Sequence, residues 1–194
     1  MLEEVKRARI KAKEQGNPVL REKSFDLLLE KVKERAPKKI LEIGTNVGLS
    51  GIAMLLTCET ATLTGIEYDE EIAQEAKENY KKFGVDARAK MLIGDASEII
   101  PMLSGEYDFI FLDGPKGHYG EYLPYLKNLL SKKGILFADN VLFFGYVANG
   151  KKPPHKHATI INSLRKYLKE VTTDQSFKTQ VYDLEDGVSI TEKL

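Results

Sequence analysis

The chain has 194 residues, of which 42% are hydrophobic and 30% charged, and its 29 basic residues balance its 29 acidic residues. This length and composition predict a soluble globular protein with a single domain over residues 1–194. The zero net charge argues against a globally basic nucleic-acid-binding protein but is compatible with a local basic patch. Cys58 is the only cysteine, which excludes an internal disulfide. Because neither a membrane-spanning apolar run nor a signal peptide is recognisable, we expect a cytoplasmic protein with no membrane partner.

The first 36 residues predict a helical cap on the rest of the domain. Residues 1–15 are rich in Lys, Arg and Glu and predict an exposed helix, either a solvated surface or a contact for RNA or a partner protein. Its basic residues are Lys6, Arg7, Arg9, Lys11 and Lys13. The sequence Gly-Asn-Pro at 16–18 interrupts this helix. Ser24 is the predicted N-cap of a second, amphipathic helix.

Residues 39–50 link a predicted strand to a predicted helix through two glycines. The apolar run 40–43 is typical of a buried parallel strand, and a helical stretch begins at Leu49. Gly44 and Gly48 lie at the turn between the two elements. Glycine at such a turn lets the backbone approach a ligand and expose its N–H groups, which predicts a nucleotide-type cofactor site.

The spacing of these glycines distinguishes two classes of cofactor site. A dinucleotide-binding fingerprint requires G-x-G-x-x-G, whereas three residues separate Gly44 from Gly48 here. The pattern from Glu42 onward is E-x-G-x-x-x-G, which fits a nicotinamide-dependent oxidoreductase poorly. It resembles the first motif of the S-adenosylmethionine (SAM)-dependent methyltransferases. The oxidoreductase, and a non-catalytic protein that merely retains the pocket, remain alternatives at this point.

The rest of the chain alternates predicted strands with predicted helices. Strands are expected at 61–67, 88–93, 107–112 and 134–138, and helices at 70–83, 97–103, 119–130 and 159–171, with an irregular stretch at 143–154. Residues 177–183 and 188–191 predict a hairpin. We therefore predict an α/β fold with a Rossmann-like, doubly wound sheet of seven strands and helices on both faces. The sheet is expected to be mostly parallel, with one antiparallel strand from the hairpin.

Acidic or amide side chains follow several of these strands. They are Glu42, Glu67, Asp95, Asp113 and the pair Asp139 and Asn140. Any one of them could be a helix cap or a turn residue, but ligands of open α/β sheets bind at the carboxyl ends of the strands. Glu67 lies about twenty residues after the glycine turn, where a ribose-binding carboxylate is expected. Asp95 or the Ala96 amide is expected to meet a base, and Ser50 to reach an amino-acid carboxylate.

Asp113, Asp139 and Asn140 form a second group of candidate ligands. Carboxylate and amide oxygens are hard donors, which suit Mg²⁺, Mn²⁺ or Ca²⁺ better than zinc. Lys116 follows Asp113 by three residues. A nearby cation would favour the neutral form of its amine, so Lys116 is the predicted base, with a solvated loop lysine as the alternative.

Five segments together resemble the metal-dependent O-methyltransferases, a group that includes catechol and caffeoyl-CoA methyltransferases. They read EIGTNVGLS at 42–50, GIEYD at 65–69, GDA at 94–96, FLDGPK at 111–116 and ADNVL at 138–142. The resemblance implies a class I SAM-dependent enzyme whose metal is held by Asp113, Asp139 and Asn140. It also implies that Lys116 and Asp113 are catalytic, with Lys116 activating the acceptor hydroxyl. The expected cofactor-binding residues are Glu42, Gly44, Thr45, Gly48, Ser50, Glu67, Asp95, Ala96 and Asp113.

The acceptor is expected to carry two adjacent oxygens, one that loses a proton and one that chelates the metal. Segments 139–147 and 186–190 resemble the bacterial branch that methylates 5-hydroxyuridine at the wobble position of tRNA. That resemblance implies the tRNA anticodon loop as partner, contacted by the basic stretch 151–157 together with Arg165, Lys166 and Lys169, unless this stretch only gates the pocket. The alternative acceptor is a small catechol-like molecule. Relatives of this type suggest a homodimer.

Overall fold

The computed structural model describes residues 1–147 and 152–194. The helices are α1 (Leu2–Glu14), α2 (Glu22–Arg35), α3 (Leu49–Thr57), α4 (Glu70–Lys82), α5 (Ala96–Ile99), α6 (Tyr119–Leu129) and α7 (Ala158–Thr173). The strands are β1 (Lys39–Ile43), β2 (Thr62–Glu67), β3 (Ala89–Ile93), β4 (Tyr107–Leu112), β5 (Leu130–Asp139), β6 (Phe177–Tyr182) and β7 (Val188–Lys193). Within the described residues, no helix is both long enough and apolar enough to cross a membrane.

The seven strands form one sheet in the order β3-β2-β1-β4-β5-β7-β6. Strands β1 to β5 are parallel, whereas β7 runs antiparallel to both of its neighbours, β5 and β6. The predicted fold class is confirmed, with β7 as the one antiparallel strand. The strand order reverses between β1 and β4, and ligands of doubly wound sheets bind at the carboxyl ends of strands at such a point.

Two hydrophobic cores lie on opposite faces of this sheet, because successive side chains of a strand point to opposite faces. In β1, Ile40 joins the core under α1 to α4, and Leu41 and Ile43 join the core under α5 to α7. Helices therefore cover both faces, as predicted. The alternation places Glu42 on the same face as Ile40, where it is fully buried.

Helix α1 forms as predicted, but it is not simply an exposed surface. Val5, Arg9 and Ala12 are buried on one of its faces, because spacings of four and three residues share a side of a helix. This face packs against α3. Residues of α1 and α2 thus contribute to the core beneath the sheet, and the boundary at residue 36 stays a prediction.

The predicted N-cap role of Ser24 is wrong, because α2 begins at Glu22 with Arg21 as its N-cap. Ser24 is fully buried within the first turn. Its backbone N–H and its hydroxyl donate to Glu185 Oε2 at 3.0 and 2.8 Å. A carboxylate from the turn between β6 and β7 therefore caps this helix from a distant part of the chain.

The same hairpin turn also fixes the segment that follows β5. Asp186 Oδ1 accepts a hydrogen bond from the backbone N–H of Phe144. Gly187 has φ +87°, and a Cβ atom there would lie 2.3 Å from Leu142 Cγ, so only glycine allows this approach. The predicted irregular stretch 143–154 is described on both sides of residues 148–151, which lie outside the described part of the chain.

Candidate active site

A cavity of about 390 Å³ opens at the carboxyl ends of β1, β4 and β5. It brings together four residues that the sequence singled out, namely Asp113, Lys116, Asp139 and Asn140. The segment 18–21 forms a further wall, and the remaining lining residues are Gly44, Asn46, Phe143, Phe144 and Asp186. A smaller adjoining cleft lies over the glycine turn, from Gly44 to Ser50.

The glycine turn is held tightly between two neighbouring strands. Gly44 and Gly48 have φ values of +87° and +82°, a region that side-chain-bearing residues rarely adopt. The N–H groups of Gly44 and Thr45 donate to the carbonyl of Ile66 at 3.0 and 3.1 Å. A Cβ atom at Gly44 would lie only 2.6 Å from the carbonyl oxygen of Asp113. The predicted requirement for glycine at this turn therefore has a direct steric cause.

Glu67 joins the glycine turn to the end of β2. Its carboxylate accepts three backbone hydrogen bonds, from Asn46 at 2.7 Å, Tyr68 at 2.9 Å and Asp69 at 3.1 Å. An ionised carboxylate offers about four acceptor positions. The expected contact with a ribose hydroxyl therefore has one such position left, on a carboxylate whose orientation is already fixed.

Glu42 lies beneath the glycine turn rather than in the cleft. Burial raises the pKa of its carboxyl to about 8. The hydrogen bond that the Ser50 hydroxyl donates to Oε1 acts in the opposite direction and lowers this pKa. Within the described residues, Glu42 Oε2, Thr45 Oγ1 and Tyr80 OH have no hydrogen-bond partner. The side chains of Glu42 and Thr45 thus support the turn from below. The hydroxyl of Ser50 donates to Glu42, and Ser50 also lines the small cleft, so its expected contact with an amino-acid carboxylate stays a prediction.

Asp95 serves as the N-cap of α5. Its Oδ1 accepts hydrogen bonds from the N–H and the hydroxyl of Ser97 at 2.8 and 2.7 Å, which lowers the pKa of Asp95. In the described part of the chain, the two cavities are lined without Asp95 or Ala96. Their expected contact with a base stays a prediction.

The two carboxylates at the ends of β4 and β5 differ in their surroundings. Lys116 Nζ lies 2.8 Å from Asp113 Oδ1, so Asp113 has a cationic partner. Asp139 is 3% exposed, and its Oδ1 has no partner among the described residues. Burial, together with the charge of Asp113, raises the pKa of Asp139 to about 7. A buried carboxylate oxygen without a partner is costly, and a cation bound between the two acids would stabilise it.

The donor set fits a hard cation only when the amide is included. The described residues contain no cluster of three His, Cys, Asp or Glu side chains able to hold a metal. Asn140 lines the same cavity as Asp113 and Asp139. Two carboxylates and one amide oxygen leave positions for water and substrate on a cation such as Mg²⁺.

The backbone after β5 is strained where it lines the cavity. Asn140, Phe143 and Phe144 have φ values of +57°, +42° and +52°. Such conformations persist only where surrounding contacts enforce them, and they cluster at functional sites. The Asp186 carboxylate provides one such contact through the N–H of Phe144.

Two of the basic residues that were expected to contact RNA, Arg165 and His157, contact the segment that follows β5. Arg165 donates to the carbonyl oxygens of Tyr146 and Val147 at 2.9 and 3.4 Å. The ring of His157 packs edge-on against Phe143, with the centroids 5.4 Å apart. Lys151 lies outside the described residues. Lys152, Lys156, Lys166 and Lys169 are exposed, so the expected contact of this stretch with RNA stays a prediction beside its role in shaping the pocket.

Three contributors to these cavities were not identified from sequence, namely Arg9, the segment 18–21 and Asp186. The spacing of Arg9 from Val5 and Ala12 contains a signal, since it places an arginine on the apolar face of α1. The Gly-Asn-Pro break marks the start of the wall segment only as a turn. Asp186 lies in a hairpin turn, and no local pattern connects it with β5.

The chain is similar in sequence and in fold to known O-methyltransferases. Among curated proteins, the chain is 27% identical over 185 residues to the probable caffeoyl-CoA O-methyltransferase 3 of Dictyostelium discoideum, covering 87% of this chain and 72% of that protein. It is 31% identical over 140 residues to the caffeoyl-CoA O-methyltransferase of Stellaria longipes, covering 69% and 57%.

Among solved structures, the O-methyltransferase TomG of Streptomyces achromogenes, in complex with SAM, has the same fold. Its TM-score is 0.87 at 21% identity, with 97% of this chain and 88% of that chain covered. The family model described as O-methyltransferase matches residues 1–194. The predicted enzyme class is thereby confirmed, and the oxidoreductase alternative loses its support. The chain belongs to the O-methyltransferase family.

Proposed function

We propose that this protein transfers the methyl group of SAM to a hydroxyl of a small catechol-like molecule, with the help of a divalent cation. The observation that carries this proposal is the arrangement of Asp113, Lys116, Asp139 and Asn140 around one cavity, with a buried and unpartnered Asp139 oxygen. The acceptor would carry a second oxygen beside the reacting hydroxyl. Two vicinal oxygens match the positions that these three ligands leave on a cation.

Asp113, Asp139 and Asn140 are the residues that would hold the cation, with Mg²⁺, Mn²⁺ or Ca²⁺ as the ions suited to these donors. A bound divalent cation supplies Lewis acidity, which favours the ionised form of an acceptor hydroxyl. Asp139 stands ready for this role, because its neighbours in the described structure leave Oδ1 without a hydrogen bond. As the last residue of β5, Asp139 lies on a rigid element.

Lys116 is the residue placed to receive the proton of the acceptor. Its Nζ lies 2.8 Å from Asp113 Oδ1 and 3.4 Å from the Asp113 carbonyl oxygen, at the edge of the cavity. A lysine accepts a proton only as the neutral amine, and nearby positive charge favours that form. Were Asp113 to hold a cation, Lys116 would lose its ion-pair partner, and a larger share of its amine would be in the neutral form that can accept a proton.

The cofactor is proposed to lie over the glycine turn, between Glu67 and Asp113. Glu67 has one acceptor position left for a ribose hydroxyl, and the absence of a side chain at Gly44 lets the turn lie close to the Asp113 backbone. The sulfonium of SAM supplies an electrophilic methyl group, so the protein's main task is to align donor and acceptor. The solved structure of TomG, which shares this fold, is a complex with SAM, and this supports SAM as the cofactor.

The acceptor class is inferred from the cavity and from the relatives. A cavity of about 390 Å³ lined by Phe143 suits a substituted aromatic ring, within the usual range for small-molecule sites. Relatives include caffeoyl-CoA O-methyltransferases and the catechol O-methyltransferase of Mycobacterium tuberculosis. The small-molecule alternative is therefore better supported than the 5-hydroxyuridine of tRNA that the sequence suggested first. The expected homodimer and the cytoplasmic location stay predictions.

Methyl transfer from labelled SAM tests the proposal. 3,4-Dihydroxybenzoate is compared with 3-hydroxybenzoate, which lacks the second hydroxyl, and with tRNA that carries 5-hydroxyuridine, each with Mg²⁺ or with EDTA. We expect labelling of the dihydroxy acceptor only, and only with Mg²⁺. Labelling of tRNA alone would replace the small-molecule assignment, and equal labelling in EDTA would refute the role of the cation.

A further inference from the structure

Arg9 is an arginine of α1 that is held in place on two sides. Its guanidinium carbon lies 3.4 Å from the centroid of the Phe25 ring, and its Nη2 donates to the carbonyl oxygen of Leu20. The residue is only 9% exposed. Stacking and hydrogen bonding fix the plane of the guanidinium, so its remaining N–H groups have a defined direction.

The small cleft over the glycine turn is lined by Arg9 together with Gly44, Ser50 and Asp113. Among the described residues that line this cleft, Arg9 is the single cationic side chain. A guanidinium has five N–H donors, of which the bond to Leu20 uses one. The cleft therefore brings the glycine turn and a largely buried cation together around one space.

The methionine part of SAM carries an α-carboxylate, which needs hydrogen-bond donors or a cation at this position. Asp113 lines this cleft, and Glu67 accepts a hydrogen bond from the turn residue Asn46; both are acidic, so neither offers a donor when ionised. The hydroxyl of Ser50, the donor expected from sequence, is directed to Glu42. Lys116 is paired with Asp113. Among the described residues that line this cleft, Arg9 is the one whose side chain offers a positive charge and N–H donors to a carboxylate.

We infer that Arg9 binds the α-carboxylate of SAM and so selects a cofactor with an intact amino-acid end. This inference depends on the proposed placement of SAM over the glycine turn. Phe25 and the Leu20 carbonyl act as positioning groups that hold the guanidinium in the orientation it uses. The N-terminal helix is then part of the cofactor site, a role that the helical-cap prediction did not include.

The electrostatics of Arg9 agree with a bound anion. Burial lowers the pKa of its guanidinium, partly offset by the charges of Asp26, Glu22 and Glu185. A buried cation without a close anionic partner is unfavourable, and a carboxylate would form charge-assisted hydrogen bonds with it. Arg9 makes no ion pair within 4.0 Å in the described part of the chain, so the ligand carboxylate has no competitor there.

The test compares two cofactors by calorimetry, since binding does not depend on turnover. SAM is measured beside decarboxylated SAM, which keeps the sulfonium and the amine but lacks the carboxylate. Each is titrated into the wild type, R9Q, R9K and R7Q, where Arg7 is an exposed arginine of the same helix. The quantity of interest is the ratio of the two dissociation constants within each variant, which cancels a general loss of folded protein.

We expect wild type and R7Q to prefer SAM, and R9Q to lose roughly ten- to one-hundredfold of that preference, the range for a hydrogen bond to a charged group. R9K, which retains the charge without the planar fork, is expected to lie between them. Equal weakening of both ligands in R9Q and R9K, or an unchanged ratio, would overturn the inference and leave Arg9 a purely structural residue.

The same data separate this inference from the proposed function. If the wild type binds SAM and E67Q weakens it while the Arg9 variants keep the ratio, the inference alone fails. If the wild type binds SAM but E67Q has no effect, the proposed cofactor placement fails, and the inference is overturned with it.

Discussion

The two halves of the cleft are built in opposite ways. In the cofactor half, the Glu67 carboxylate accepts three backbone hydrogen bonds, and the glycine turn is clamped between β2 and β4. In the acceptor half, Asp139 is buried beside a second carboxylate and one of its oxygens has no partner in the described structure. The ribose-binding carboxylate of the first half is held by backbone N–H groups before a ligand arrives, whereas a buried carboxylate oxygen of the second half has no partner until a ligand supplies one. Substitution of a side chain in the acceptor half should therefore affect turnover, whereas substitution in the cofactor half should affect SAM affinity or stability.

The largest effect is expected from D139N in the acceptor half. The amide preserves the shape but removes a charge that the cation needs, so turnover with Mg²⁺ should fall roughly a thousandfold, since several kcal/mol of transition-state stabilisation are lost at tenfold per 1.36 kcal/mol. SAM affinity, measured by calorimetry, should be unchanged. D86N, at an exposed aspartate, is the matched control. Wild-type turnover by D139N would show that the two halves do not differ as described.

The second largest effect is expected on the pH dependence of stability, through the buried Glu42 beneath the glycine turn. Glu42 has a folded-state pKa of about 8 against 4.5 in its ordinary environment, so the folded state holds a proton that the unfolded state releases. The stabilising contribution is complete below pH 4.5 and is lost as the pH rises through 8. E42Q removes this dependence, and its stability relative to the wild type should rise by roughly 2 to 3 kcal/mol between pH 6 and pH 8.

Urea unfolding of E42Q and wild type at pH 6, 7 and 8 measures that difference. The isosteric E75Q, at an exposed glutamate of α4, provides the control and should follow the wild type at every pH. Parallel curves for E42Q and wild type would mean that Glu42 is ionised in the folded protein. The cofactor half would then also contain a buried carboxylate whose charge is not balanced, and the contrast between the carboxylates of the two halves would disappear.

The smallest effect is expected from E67Q. A glutamine offers one acceptor oxygen, so it cannot keep the hydrogen bonds from both Asn46 and Tyr68 and still accept from a ribose. The dissociation constant for SAM should rise about tenfold, as expected for one lost hydrogen bond to a charged group. Mg²⁺-dependent turnover at saturating SAM should stay near that of the wild type. A large fall in turnover with unchanged affinity would place Glu67 in the chemistry instead.

Much of this site follows from short-range patterns in the sequence. Gly44 and Gly48 were recognisable because the strand-to-helix turn demands residues without side chains. Asp113 and Asp139 were recognisable because parallel strands bring their carboxyl ends to one edge of the sheet. The spacing of Lys116 from Asp113 was sufficient to place both in one loop. These features depend on neighbours in the chain or on the general geometry of the sheet.

The features that escaped prediction depend on contacts between distant parts of the chain. Ser24 has the composition of a helix cap, but the wall segment positions α2 so that Glu185 takes that role. The hydrogen bond from the Ser50 hydroxyl to Glu42 depends on the burial of Glu42 behind the turn. The alternation of side chains along β1 predicts the burial of Glu42, because positions 40 and 42 lie on the same face of the strand. The contact of Arg9 with Leu20 requires the chain to reverse between α1 and α2, which no local pattern specifies.

The hairpin turn at 185–187 also has a consequence for how the protein folds. The bond between Ser24 and Glu185 joins residues 161 positions apart, and β7 must enter the sheet between β5 and β6. Contacts with so large a sequence separation form slowly, because a long loop must close before they contribute. During synthesis, β1 to β5 can pair before Glu185 is available to bind Ser24 beside the cleft. Methyl-transfer competence should therefore appear late in refolding, after most of the parallel sheet has formed.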